Sequence, residues 1–202
     1  MKLNQTKRRT ITRKLSVFNL VTLDGYISGE GGDISWHRVD KEFQKYAEKN
    51  SNSGNTLLFG RTTYELLGSY WTSPDALRND PIIVQGMNRS PKIVFSRTLK
   101  KADWANTRLA KGDLLGAVRK LKKQSGKGLT ILGSGSIVAQ LAQAGLIDEY
   151  QVLLIPVILG KGRTMFEGVE GKPTLKLTSR RTFGNGNVLL CYEPTKASKR
   201  KV

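Results

Sequence analysis

The stretch that decides the fold is Leu129-Thr130-Ile131-Leu132-Gly133-Ser134-Gly135-Ser136. Its first four residues have the apolar, β-branched character of a buried strand, and the small residues lead directly into a helical pattern. Small residues let a phosphate approach the backbone, and the first turn of a helix offers unpaired N–H donors. The stretch predicts either a phosphate site or a tight turn in which Ser136 only caps the helix. It is not the dinucleotide fingerprint G-x-G-x-x-G, because Val138 occupies the third glycine position.

Two other apolar stretches end in the same kind of cluster. One is Leu57-Leu58-Phe59-Gly60-Arg61-Thr62-Thr63-Tyr64-Glu65, and the other is Lys92-Ile93-Val94-Phe95-Ser96-Arg97-Thr98. Arginine forms paired hydrogen bonds to phosphate, and hydroxyl groups add donors. Ligands of open α/β sheets bind at the carboxyl ends of the strands. Three strands that each end in phosphate donors therefore favour a dinucleotide site, although each cluster alone is also typical of an ordinary helix start.

Outward from these stretches, β-branched apolar runs alternate with amphipathic runs, which is typical of an α/β domain. The patterns predict strands at residues 15–21, 56–59, 82–84, 92–95, 129–132, 149–157, 175–183 and 187–193. They predict helices at residues 40–49, 62–67, 112–124 and 136–144, with Asp113 as a cap. Residues 183–187, Phe-Gly-Asn-Gly-Asn, predict a hairpin turn. We expect a mixed, mostly parallel sheet flanked by helices, with a C-terminal antiparallel hairpin, in one domain spanning residues 15–194.

The charge of the chain is unusual, since its 202 residues carry a formal net charge of +18. Ten of these excess charges lie in two segments without acids, residues 1–14 and 195–202, which we predict to be disordered tails. The alternative is a weak, nonspecific contact between the tails and nucleic acid. One cysteine, Cys191, and one histidine, His37, argue against a zinc site, and His37 is predicted to be exposed and without a role. No apolar run reaches the ~18 residues of a membrane span, and we expect a cytoplasmic protein.

In order and spacing, these segments resemble the dihydrofolate reductase superfamily, closest to the reductase domain of riboflavin biosynthesis. The resemblance also rests on Thr22-Leu23-Asp24-Gly25-Tyr26-Ile27, on residues 145–150 (Gly-Leu-Ile-Asp-Glu-Tyr) and on residues 156–162 (Pro-Val-Ile-Leu-Gly-Lys-Gly). It covers residues 15–192. It implies the dihydrofolate-reductase-like fold and NADPH as cofactor. The deaminase half of the bifunctional riboflavin enzyme has no counterpart, because the chain has no His/Cys zinc pattern.

The resemblance implies a cofactor site at three strand ends, with the nicotinamide near residues 19–21 and the turn at Asp24, which is equally typical of a plain turn. Residues at the second strand end would meet the phosphates, Ser96 and Arg97 would flank the 2′-phosphate, and the 133–137 stretch would cradle the pyrophosphate. The implied cofactor residues are Asp24, Gly60, Arg61, Thr62, Thr63, Ser96, Arg97, Gly133, Ser134, Gly135, Ser136 and Ile137. Dihydrofolate reductases have a cis Gly-Gly bond where this chain has Gly133-Ser134, so the geometry of that bond stays open here.

The substrate side is less determined by the sequence. Asp40 and Glu42 are the candidate proton donors, although either carboxylate also suits a helix start. Trp36, Tyr64, Leu67, Tyr70 and Trp71 are aromatic or apolar candidates for a substrate pocket, or else core or dimer contacts. Arg89 lies near the position at which folate enzymes hold the glutamate carboxylate, but Ser90 and Pro91 displace it.

Four functions remain in competition. The first is an NADPH-dependent reductase of a small heterocyclic substrate, such as the pyrimidine intermediate of riboflavin biosynthesis. The others are dihydrofolate reductase activity, a nucleic-acid-binding protein built on this scaffold, and an NADPH sensor without reductase activity. We also expect a homodimer, because the segment of residues 150–159 is long and apolar. In the riboflavin reductases, related strands help to form the dimer.

Overall fold

The computed structural model describes residues 12–195, which form an eight-stranded mixed sheet covered by helices on both faces. The strand order is β5-β4-β3-β6-β1-β7-β10-β9. The first six strands in that order are parallel, and β10 and β9 form the antiparallel end. The elements are β1 Leu15–Thr22, β2 Tyr26–Ser28, α1 Lys41–Ser51, β3 Thr56–Gly60, α2 Arg61–Trp71, α3 Pro74–Asn79, α4 Pro81–Arg89, β4 Lys92–Phe95, β5 Thr107–Ala110, α5 Leu114–Lys122, β6 Leu129–Leu132, α6 Gly135–Gln143, β7 Glu149–Ile155, β8 Arg163–Thr164, β9 Leu175–Thr182 and β10 Val188–Pro194.

The sheet has a core on each face. Helices α5 and α6 cover one face, where Val118, Leu121 and Leu141 pack against the buried residues of β1 and β6. The other face carries two clusters, one around Phe43 of α1 and one around Tyr64 and Met87 of α2 and α4. The predicted α/β fold class is confirmed, and the predicted elements exist at all but one of the proposed positions.

The prediction of a strand at residues 82–84 is wrong, because these residues lie inside α4. Pro81 occupies the first turn of the helix, where its missing N–H costs nothing. Ile83, Val84 and Met87 are buried and recur at helical spacing. Gly86 is the contact point with α1, since a Cβ there would lie 2.6 Å from Ser51 Oγ. The apolar run is therefore the buried side of a helix.

The predicted hairpin is present at residues 183–187, where Phe183 N donates to Asn187 O at 2.9 Å and Gly186 N donates to Phe183 O at 3.0 Å. Its strand β10 pairs with β7, which also pairs with β1. Both edges of β7 are therefore paired, and Tyr150, Leu153 and Ile155 are buried in the core, whereas Ile158 beyond the strand is exposed. The homodimer expected from residues 150–159 stays a prediction. The edge strand on this side is β9, whose eight residues are all exposed.

The sequence patterns did not predict several short elements that contain polar residues. These are α3, β5 and the small two-stranded sheet of β2 and β8. That small sheet contacts the start of α6, since a Cβ on Gly135 would lie 2.8 Å from Thr164 O. The predicted tails lie almost wholly outside the described residues. Within residues 12–195, no helix has the length and apolar character needed to cross a membrane.

Candidate cofactor site

The carboxyl ends of β4, β3 and β6 lie side by side, and this brings the three predicted phosphate clusters together. Strand β3 is the middle one, and its last residue, Gly60, is also the cap of α2. Helix α6 begins at Gly135, and only Gly133 and Ser134 separate it from the end of β6. The first amides of α2 and α6 have no acceptor within their helices, so both helices present N–H donors and the positive ends of their dipoles at this edge.

Ser134 joins two of these clusters. Its Oγ accepts a hydrogen bond from Gly60 N at 2.9 Å and donates one to Leu132 O at 3.1 Å. Its own amide donates to Thr63 Oγ1 at 3.0 Å. Ser134 is buried, and it is one of three non-glycine residues with positive φ among the described residues, at φ 54°. Two of these hydrogen bonds fix the turn after β6 to the start of α2, and the third holds the serine side chain against the end of β6.

Gly133 precedes this serine and also has a positive φ, of 56°. A side chain here would place its Cβ 2.8 Å from Thr63 Cγ2, so only glycine allows Thr63 to lie this close. The carbonyl of Gly133 accepts a hydrogen bond from Asn19 Nδ2 at 3.1 Å. The peptide bond between Gly133 and Ser134 is trans, as are all the peptide bonds of residues 12–195.

Arg61 links the second and third clusters. Its Nη1 donates to Thr98 Oγ1 at 2.9 Å, and its Nε lies 3.1 Å from Glu65 Oε1. Ser96 Oγ accepts from the amides of Thr98 and Leu99, which turns the chain sharply after β4. Arg97 is exposed within that turn. Two guanidinium groups therefore stand at the ends of neighbouring strands, and the one acid in contact with Arg61 is Glu65.

Asp24 has a structural contact of its own. Its Oδ1 accepts from Thr22 Oγ1 at 2.6 Å, and its Oδ2 accepts from the amides of Leu159 and Gly160 at 3.0 and 2.7 Å. These bonds, led by the one from Thr22, lower the pKa of Asp24. The carboxylate thus fastens the segment after β7 to the turn after β1. Its role as a cofactor ligand stays a prediction.

The two candidate proton donors lie at the start of α1. Asp40 caps the helix by accepting from Phe43 N at 2.7 Å, and it also accepts from Asn185 N at 3.1 Å. Glu42 accepts from Arg181 Nη2 at 2.7 Å and from Gly184 N at 3.3 Å. Both carboxylates therefore tie α1 to the hairpin turn between β9 and β10. Their catalytic role stays a prediction beside this structural one.

The aromatic candidates are not brought into one pocket. Trp36 is buried in the cluster around Phe43, whereas Tyr64 is buried in the cluster around Trp104 and accepts from Trp104 N at 2.9 Å. Leu67 and Trp71 pack partly against the second cluster, and Tyr70 is exposed. The physical reason is that the α2 residues face the sheet over β3 and β4, while the Trp36 segment packs over β7 and β10. Of these candidates, only Trp36 shares a cluster with Phe43 of α1.

The sequence of the chain matches a known protein family. Residues 13–189 match the model of the RibD C-terminal domain. The chain is also 32% identical over 192 residues to the uncharacterized protein YyaP of Bacillus subtilis, with 94% of this chain and 97% of that protein covered. The chain belongs to the RibD C-terminal domain family. The predicted resemblance is therefore confirmed.

Solved structures similar to this RibD C-terminal domain share its fold. A putative riboflavin biosynthesis protein from Shewanella sp. PV-4 aligns with a TM-score of 0.69 and 21% identity, over 91% of this chain and 99% of that one. Dihydrofolate reductase from Enterococcus faecalis, complexed with NADP(H), aligns with a TM-score of 0.61 and 17% identity, over 91% and 97% of the two chains. Family and fold together support an oxidoreductase of the dihydrofolate-reductase-like class.

Sequence reasoning missed several residues of this RibD C-terminal domain site. Thr98 and Glu65 were not expected to hold Arg61, and Asn19 was not expected to hold Gly133.

His37 was expected to be exposed, but its Nε2 is buried without a hydrogen-bond partner among the described residues. Burial lowers the pKa of His37 to about 4, although the Asp33 carboxylate acts against it. The imidazole is therefore neutral at physiological pH.

Proposed function

We propose that the chain is an NADPH-dependent reductase that transfers hydride to a small heterocyclic substrate, with the pyrimidine intermediate of riboflavin biosynthesis as the first candidate. The convergence of the Gly60, Ser96 and Gly133 turns at one sheet edge carries this proposal. Two helix starts and two arginines suit the pyrophosphate and the 2′-phosphate of NADPH. NADPH would supply the hydride, and the residues of the chain would bind and orient its two ends.

The fit of the site to NADPH rests on preorganisation. Ser134, Thr63 and Gly60 already hold the proposed pyrophosphate turn in place, so binding costs little ordering of the backbone. Arg61 is similarly held between Thr98 and Glu65, beside the exposed Arg97. A 2′-phosphate placed there would replace Glu65 as the anionic partner of the guanidinium group.

Cofactor preference tests the proposal through two arginines. We expect NADPH to bind at least roughly tenfold more tightly than NADH, because a charge-assisted arginine–phosphate contact contributes about 1.5–3 kcal/mol. Arg61→Ala and Arg97→Ala should each reduce that ratio, mainly by weakening NADPH. Fluorescence titration with both cofactors measures the two dissociation constants.

Glu65→Gln is the matched control for this titration. It removes the carboxylate that competes for Arg61 and leaves the arginine in place. The preference for NADPH should therefore persist or increase. Equal binding of the two cofactors by the wild-type protein, or an undiminished ratio in both arginine variants, would show that the proposed 2′-phosphate site is wrong.

Proton delivery is a separate proposal. If Asp40 or Glu42 protonates the substrate, the neutral amides Asp40→Asn and Glu42→Gln should lower turnover by about a hundredfold while NADPH affinity is retained. A purely structural role would instead lower the melting temperature, because both carboxylates hold the hairpin turn. Steady-state turnover, with dihydrofolate and the pyrimidine intermediate in the substrate screen, is to be compared with melting curves. Unchanged turnover in the double variant would exclude both residues.

Beside the surface predicted at residues 150–159, we propose β9 as a homodimer interface. This strand ends the sheet, and its exposed Leu175 and Leu177 add apolar surface to a free strand edge. We expect Leu177→Lys to shift the protein to monomer in sedimentation velocity. Leu77→Lys changes an exposed leucine on α3, away from β9; it is the control and should leave the dimer intact. A wild-type protein that stays monomeric over a wide concentration range would contradict the proposal.

A further inference from the structure

The edge of the sheet opposite the cofactor site contains a basic cleft. It has a volume of ≈ 760 Å³ and lies between α5 and the amino ends of β3, β4 and β5. Arg13, Arg108 and Lys120 line it, together with Asn106 and Gln124. The carboxylate in its wall, Asp103, is already paired with Lys101 at 2.6 Å. The cleft therefore presents unbalanced positive charge.

Helix α5 and the segment after it extend this charge. Arg119, Lys120, Lys123 and Lys127 are exposed, and no ion pair joins any of them to a carboxylate within residues 12–195. Lys122, which points toward the body, is paired with Asp148. We call the set Arg13, Arg108, Arg119, Lys120, Lys123 and Lys127 the basic face.

The amino-terminal segment joins the fold at this same face. Arg13 Nη2 donates to Thr56 Oγ1 at 2.6 Å and to Gly128 O at 3.1 Å, which fixes the point at which the chain enters. Residues 1–11 precede that point and carry Lys2, Lys7, Arg8 and Arg9, with no acid among them.

The chemistry of the face indicates which kind of anion it fits. The exposed large apolar residues of the described chain all lie elsewhere, as Leu66, Leu77, Ile82, Phe166 and Leu177 illustrate. Among the described residues, the basic face therefore lacks an apolar anchor for a lipid surface. Trp104, the aromatic residue in the cleft wall, is 6% exposed and offers no surface on which a base could stack. What remains is a set of point charges suited to a row of phosphates.

We propose that the basic face binds double-stranded nucleic acid through its phosphate backbone, without reading its sequence. Such binding arises from counterion release, and its affinity falls steeply with salt. It places the nucleic acid on the side of the sheet opposite the proposed cofactor site, so both can be bound together. This proposal is independent of the reductase activity.

The test is fluorescence anisotropy with a short duplex DNA of mixed sequence over a series of salt concentrations. We expect the triple variant Lys120→Gln/Lys123→Gln/Lys127→Gln to bind roughly tenfold or more weakly at 0.1 M salt, with a log–log salt slope shallower by about two to three. The matched control is Lys45→Gln/Lys49→Gln/Lys176→Gln, which removes the same charge from exposed lysines of α1 and β9. Melting curves and NADPH titration verify that both variants remain folded.

Three results would overturn the proposal. The first is no salt-dependent binding of duplex DNA by the full chain. The second is an equal loss in the two triple variants, which would mean that only net charge or the terminal segments matter. The third is tighter binding to phosphatidylserine vesicles than to the duplex, which would assign the face to a lipid surface.

Discussion

Replacing Lys92 with methionine is expected to lower the free energy of unfolding by about 1–3 kcal/mol, because buried carbonyl groups lose their donor while the cost of burying the charge is removed. Lys92 is 1% exposed at the start of β4, and its ammonium group has no carboxylate partner within residues 12–195. Instead Nζ donates to Ser90 O at 2.8 Å, Ala105 O at 2.9 Å and Asn88 O at 3.3 Å, and it lies 4.7 Å from the centre of the Trp104 ring. Methionine fills similar space but leaves the carbonyl groups of Ser90 and Ala105 without this donor, whereas Asn88 O keeps the hydrogen bond from Asn106 Nδ2.

Lys100→Met is the control, because Lys100 is exposed nearby and its loss should change stability by about 0.5 kcal/mol or less. Urea denaturation of the three proteins measures the difference. A Lys92→Met variant as stable as Lys100→Met would show that the buried ammonium group is not a fixed part of the fold.

The effect of replacing Lys92 on stability also depends on pH. Burial lowers the pKa of Lys92 to about 8 from its usual 10.5. Between pH 8 and 10.5 the unfolded chain holds a proton on this amine that the folded chain has lost, so folded stability rises with pH in that window. Below pH 8 both states are protonated and the cost of burying the charge stays constant. The stability difference between wild type and Lys92→Met should therefore change between pH 8 and 10.5 in favour of the wild type.

The second large effect is expected at Ser134. Ser134→Val should weaken NADPH binding by about a thousandfold, for two reasons. Valine cannot make the hydrogen bonds to Gly60 N and Leu132 O, and each buried group left unpaired costs about 1–3 kcal/mol. A β-branched residue is also strained at φ 54°, by about 1–2 kcal/mol. Both effects move the turn that would cradle the pyrophosphate.

Two further variants separate these causes. Ser134→Ala loses the hydroxyl group without adding a branch, and Ser134→Thr keeps a hydroxyl group but adds the branch. NADPH titrations of the three variants show how much of the lost NADPH affinity comes from the missing hydrogen bonds and how much from backbone strain. Melting temperatures verify that the variants fold. If Ser134→Val binds NADPH as the wild type does, this turn is not part of the cofactor site.

Sequence patterns were most informative where burial is strongest. The runs at β1, β3, β4 and β6 are apolar and end in small or polar residues, so both the strands and the clusters at their ends could be predicted. The same rule failed at Ile82 and Ile83, because a short apolar run reads alike in a strand and on the buried side of a helix. Strands β5 and β8 were missed because they are short and contain Arg108 and Arg163.

The contacts that build the site could not be predicted, because they depend on strand order. Residue 60 meets residue 134, and residue 61 meets residue 98, only because β3 lies between β6 and β4. Asn19 reaches Gly133 for a similar reason, since β1 is the next strand after β6. The aromatic candidates failed as a group because helical spacing says which side of α2 is apolar but not which cluster it joins.

Hydrogen–deuterium exchange with and without NADPH tests most directly that the cofactor lies across these three strand ends. We expect NADPH to slow exchange in peptides covering residues 60–65, 96–99 and 133–138. Exchange in residues 114–127, which span α5 and the lysines after it, should stay unchanged. NADH at the same concentration should protect residues 133–138 more than residues 96–99, since it lacks the 2′-phosphate. Protection confined to other segments, or no protection at saturating NADPH, would contradict the proposed cofactor site.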